Sequence, residues 1–127
     1  MKHRYKKHYT REEANALLPD IRRWLQKLGQ SHQDTGRLEK RLGGMVSQGD
    51  DVGGEQVNQY VKTLVDIKEV LDEFQVREIF IKDATRGLID FPAIIGGKEV
   101  FLCWEQDEET VEFWHDLETG FAGRERL

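Results

Sequence analysis

Residues 88–104 read Leu88-Ile89-Asp90-Phe91-Pro92-Ala93-Ile94-Ile95-Gly96-Gly97-Lys98-Glu99-Val100-Phe101-Leu102-Cys103-Trp104. Two runs rich in β-branched and aromatic residues flank a Gly-Gly pair, the signal of a two-residue β-hairpin. Pro92 has no N–H to give to a ladder, so its strand is expected at an edge or bulged there. Upstream, Ile79-Phe80-Ile81 reads as another short strand, set off by the polar turn Asp83-Ala84-Thr85-Arg86-Gly87. Downstream, residues 106–109 form a polar turn. Residues 110–115 then alternate, with Val111, Phe113 and His115 on one face and Glu112 and Trp114 on the other. Together these segments predict a small antiparallel sheet of three or four strands over residues 79–127, closed by a docked tail from Leu117.

Before residue 79 the period of the apolar residues is helical. Thr10-Arg11-Glu12-Glu13 fits a capping box, in which a hydroxyl and a carboxylate each satisfy an amide of the first turn. Leu17, Ile21, Trp24 and Leu28 then recur at steps of four and three, followed in phase by Ser31, Thr35, Leu38, Leu42 and Met45. Pro19 lies inside this pattern and predicts a kink, or a short first helix ending near Leu18. Residues 43–54 hold five glycines and read as a loop, with Gly43 or Gly44 capping the helix. A second helix begins near Glu55, with the seam Val57, Tyr60, Leu64, Ile67, Leu71 and Phe74. Residues 20–42 carry +3 and residues 55–78 carry −3, which favours their pairing. The expected fold class is therefore α+β: one domain over 1–127, with a basic tail at 1–9, a long antiparallel helical hairpin at 10–78, and the sheet. Two full seams exceed what a small sheet covers, so a homo-oligomer is expected, most simply a dimer through the helices.

Composition narrows the function. The 127 residues are 34% charged and 38% hydrophobic, with a net charge of −5. The longest apolar run, Val100-Phe101-Leu102-Cys103-Trp104, is far too short to span a membrane. Cys103 is the single cysteine, so no internal disulfide is possible. No apolar segment follows the basic start, and a reducing cytoplasm is the expected compartment. Residues 1–9 carry +4, which leaves −9 on the other 118 residues. That tail reads as a solvated end, or as an arm making weak contact with phosphate backbones. The acidic body argues against broader nucleic-acid binding.

Chemistry-bearing residues concentrate in the last third. Residues 105–123 hold seven carboxylates and no Lys or Arg, with His115 among them. His115, Asp116, Glu105 and Cys103 are candidate ligands for a divalent metal, with Asp90 as another possible donor. The competing reading is a solvated acidic hairpin. His115 and Asp116 are adjacent, so on one strand they point to opposite faces. Asp90, Trp104, Trp114 and Arg124 are candidates for a small-molecule pocket with an aromatic wall, although Trp104 and Trp114 also suit the packing face of the sheet. Gly120-Phe121-Ala122-Gly123-Arg124 reads as a tail folding back, with Arg124 pairing an acid such as Asp90. Cys103 reads as a small buried hydrophobe, with a pairing to His115 conceivable. No Ser-His-Asp arrangement, phosphate loop or dinucleotide fingerprint appears.

Several blocks in order resemble one family. Gly87-Leu88-Ile89-Asp90-Phe91-Pro92-Ala93, Leu102-Cys103-Trp104, Trp114-His115-Asp116 and Gly120-Phe121-Ala122-Gly123-Arg124 look like the signature of the bacterial domain of unknown function 2203. Glu13-Ala14-Asn15-Ala16-Leu17-Leu18-Pro19 is similar to that family's opening motif. The likeness runs from about Thr10 onward and leaves out the basic extension. It implies a small bacterial cytosolic protein and supplies no catalytic residues and no cofactor. The sequence therefore points first to an oligomeric interaction or scaffold module built on the hairpin. The alternative is a metal- or small-molecule-binding protein, or an enzyme, working around Asp90, Trp104, His115 and Asp116.

Overall fold

A computed structural model describes residues 2–49 and 54–127. Helix α1 spans Arg11–Ser47 and α2 spans Glu55–Val76. The strands are β1 (Phe80–Asp83), β2 (Leu88–Ile95), β3 (Lys98–Glu105), β4 (Phe113–Asp116) and the two-residue β5 (Glu125–Arg126). They form one antiparallel sheet in sequence order. The α+β class stands, with five strands in place of three or four. The extra strand is the tail itself: Glu125 pairs with Trp114 and Arg126 with Phe113, and two residues are too few to show a period.

Residues 24–72 form one compact unit, and residues 1–23 with 73–127 form another. In the helical unit, α1 turns Leu25, Ser31 and Thr35 inward as buried residues, with Trp24, Leu28, Leu38, Leu42 and Met45 half-buried. The expected α1 seam is thus inward from Trp24 to Met45, joined by Leu25, which the expected row did not include, and Tyr60 Oη donates to Glu39 Oε1 across the helix pair at 2.6 Å. Helix α1 continues through Pro19 and also through Gly43 and Gly44, neither of which caps it. Two glycines cost helix stability but do not end a helix whose neighbours continue its pattern. Of the expected loop, residues 48, 49 and 54 are turns, and residues 50–53 lie outside the described residues.

The α2 seam needs a correction. Tyr60, Ile67 and Phe74 face inward, but Val57, Leu64 and Leu71 are 36%, 42% and 44% exposed. The inward row is instead Gln56, Tyr60, Thr63, Ile67, Val70 and Phe74. Helix α2 carries two adjacent apolar rows, and one partner helix covers only one of them.

In the sheet unit, the capping box forms as expected. Glu13 N donates to Thr10 Oγ1 at 3.1 Å, and Thr10 N donates to Glu13 Oε1 at 2.9 Å. Gly96 and Gly97 have φ of 57° and 78°, which a type I′ hairpin turn requires. That turn sets the β2–β3 register from Ile95↔Lys98 to Leu88↔Glu105. One face of the sheet (Ile89, Phe91, Ala93, Val100, Leu102, Trp104) is fully buried and packs on the first turns of α1. There Arg22 lies over the Trp104 ring, and Asn15 Oδ1 accepts from Val111 N at 2.7 Å.

Pro92 is not on an edge strand, because β2 runs between β1 and β3. However, β1 begins only opposite Asp90, and at Pro92 the chain's N-terminal segment takes its place: Tyr9 N donates to Pro92 O at 2.7 Å. The N and O of one strand residue point to the same side, so the missing donor faces away from β3 and that ladder loses nothing.

The N-terminal segment is likewise not a solvated end. Arg4 N and Tyr5 N donate to Glu99, Lys6 N and Lys7 N donate to Glu78, and Tyr5 packs on Phe80 and Phe101. Glu78 ends α2 with φ 54°, a left-handed conformation that favours glycine. Its N–H and that of Ile79 close the helix onto Gln75 O and Phe74 O, and its carboxylate holds the strap formed by residues 4–9.

Candidate functional site

The second face of the sheet carries the candidate chemistry. Counting from the Gly96-Gly97 turn, Asp90 stands opposite Cys103, and the β3–β4 register places Cys103 opposite Phe113 and Phe101 opposite His115. Asp90, Cys103 and His115 therefore point to one side of three adjacent strands. They are 2%, 0% and 2% exposed. One ligating atom from each (a carboxylate oxygen, Sγ and a ring nitrogen) lies within 4.8 Å of the others.

His115 is held from both sides. Its Nδ1 is 2.7 Å from the carbonyl oxygen of Asp116. A carbonyl only accepts, so Nδ1 carries a proton. Its Nε2 is 3.1 Å from both Oδ1 and Oδ2 of Asp90. A bond there needs one proton between the two groups, whether as carboxylic acid and imidazole or as carboxylate and imidazolium. Burial pushes the Asp90 carboxyl up from its ordinary value, and the neighbouring His115 only partly offsets this, so it stays raised. Burial and the nearby Asp90 charge push the Cys103 thiol up to about 12, although Arg124 beside it acts in the opposite direction. A thiol in that state is no nucleophile at neutral pH.

A cavity of about 230 Å³ adjoins the centre, lined by Asp90 and His115 together with Lys82, Leu117, Glu118 and Phe121. The C-terminal tail roofs this region. The Arg124 guanidinium stacks on Phe113 at 4.0 Å and on Phe121 at 4.2 Å, and it pairs with Glu108, not with Asp90, at 2.8 Å. Among the described residues, the buried Arg124 Nη1 has no hydrogen-bond partner.

The other expected site residues lie elsewhere. Trp104 and Trp114 share the α1-facing side of the sheet, diagonal to one another across β3 and β4. The Trp104 indole N–H donates to Glu108 O at 2.9 Å. Asp116 gives its carboxylate to Lys98 at 2.7 Å and only its carbonyl to His115. Glu105 pairs with Arg86 at 2.8 Å. The site thus gathers Asp90, Cys103, His115 and Arg124 and leaves Trp104, Trp114, Asp116 and Glu105 out. Glu108 was missed, because one acid in an acidic turn gives no signal of its partner. A second group, His3, His8 and Glu99, forms where the strap crosses the sheet, with His8 Nε2 at 2.7 Å from Glu99.

In the helical unit, the outward row of α2 is Val57, Val61, Leu64 and Leu71, with Val65 beside it, all exposed. No helix among the described residues is long and apolar enough to cross a membrane.

No curated protein and no solved structure matches this chain. The model of the family described as uncharacterized conserved protein DUF2203 matches residues 7–127, including the last three residues of the basic extension. The chain belongs to the DUF2203 family.

Proposed function

We propose that this protein is a self-associating interaction module, in which the α1–α2 pair of one copy docks on that of a second to complete a four-helix bundle. The observation that carries this reading is the outward row of α2. Val57, Val61, Leu64 and Leu71 repeat at steps of four, three and seven, and this row is continuous with the inward one. A surface helix that packs against one partner needs a single apolar stripe, whereas a bundle helix needs a broad one touching two neighbours. A second copy presents the same heptad-spaced row and is self-complementary by two-fold symmetry. The buried lone thiol suits a reducing cytoplasm. Nucleic acid is a poor partner for a chain of net charge −5 whose Arg4 is already paired with Glu118.

Sedimentation equilibrium tests the reading. The wild-type chain is expected to run as a dimer. Leu64→Glu, at a site already 42% exposed, is expected to give a folded monomer with unchanged helical circular dichroism. A wild-type chain that stays monomeric at about 100 μM, a weak-affinity ceiling for such a module, would overturn it.

A further inference from the structure

We infer that Asp90, Cys103 and His115 form a binding site for a zinc-like divalent transition metal, with the fourth coordination position open to the adjoining cavity. The donor set is one carboxylate oxygen, one sulfur and one imidazole nitrogen, which together select a borderline-soft ion over magnesium or calcium.

Geometry supports the assignment. Metal–nitrogen and metal–oxygen bonds of about 2.0 Å at a tetrahedral angle separate the two ligand atoms by about 3.3 Å. Nε2 of His115 and the Asp90 oxygens are 3.1 Å apart. The third donor, Sγ of Cys103, lies within 4.8 Å of both, so a small inward shift closes the triad. The outer contacts match as well. Histidine ligands characteristically donate their other ring N–H to a carbonyl, which fixes the ring, and Nδ1 does this to Asp116 O at 2.7 Å. The Arg124 guanidinium beside Cys103 would also favour a thiolate there. Lys82 lines the same cavity and offers a cationic donor to a water or small anion there.

The proton balance is specific. Without metal the centre holds three protons: one on Nδ1, one between Nε2 and Asp90, and one on Sγ. The ion displaces the last two and leaves Nδ1–H in place, so binding releases two protons per metal. No electron is transferred.

Calorimetric titration of the full chain with zinc chloride, in two buffers of different ionisation enthalpy, reads both stoichiometry and proton release. One ion per chain and close to two protons are expected. Cobalt chloride added to the wild-type chain is expected to produce a thiolate-to-cobalt charge-transfer band, which requires no variant to fold. Cys103→Ser is expected to remove the band and weaken zinc binding about tenfold or more, and His8→Gln to change neither. The inference is overturned if no zinc binds, if cobalt binds without the band, or if His8→Gln abolishes binding and so assigns the ion to His3, His8 and Glu99.

Discussion

Replacing Glu99 by Gln removes the charge that clamps the N-terminal strap. The wild-type carboxylate accepts Arg4 N at 2.7 Å, Tyr5 N at 3.0 Å and His8 Nε2 at 2.7 Å, with its side chain 9% exposed. Partial burial works against the charged form, but the His8 ring and the two amides outweigh it and hold the group down from 4.5 to about 2. At 1.36 kcal/mol per unit this is an upper bound of about 3 kcal/mol, and solvent screening at the surface reduces it to about 1–2 kcal/mol. The sign follows from linkage. A carboxylate whose folded value lies below its unfolded value stabilises fully above the unfolded value, and the contribution is lost as pH falls from about 4.5 to about 2. Urea titrations of the wild type and Glu99→Gln across this range give the difference directly, cancelling the other acids. A gap of about 1–2 kcal/mol is expected at pH 7, closing as pH approaches 2. Parallel curves with a constant gap, or no gap at all, would refute the clamp.

Two further outcomes follow from the sheet. Cys103, fully buried and with its thiol pushed up to about 12, is expected to resist an aromatic disulfide reagent in the native protein and to react at once in guanidinium; labelling at equal rates in both states would contradict the packing. Asp90→Ala leaves His115 Nε2 buried without its partner, an expected loss of about 2–4 kcal/mol in urea denaturation, and an unchanged midpoint would show that the pair contributes nothing.

The parts legible in the sequence are those fixed by local chemistry. Thr10 and Glu13 announce the helix start because the capping box lies within four residues. Gly96-Gly97 announces the hairpin, and counting outward from that turn already pairs Asp90 with Cys103. The place of His115 could not be counted in the same way, because seven residues separate β3 from β4 and such a connection does not set a register. The strap was illegible for a related reason. Its lysines look like a solvated charge run, but its backbone amides dock it, and amides leave no trace in composition. The α2 seam was half legible: apolar periodicity found Tyr60, Ile67 and Phe74, but it cannot rank two neighbouring rows on one helix.

The contacts of the strap reach beyond the sheet. Lys7 Nζ donates to the carbonyl of Val76 and Tyr9 Oη to that of Arg77, oxygens that the end of α2 cannot satisfy for itself. A sequence-distant segment thus serves as the cap of this helix. Proteolytic trimming of the first nine residues would therefore register earliest as fraying of the last turn of α2, well before any strand of the sheet let go.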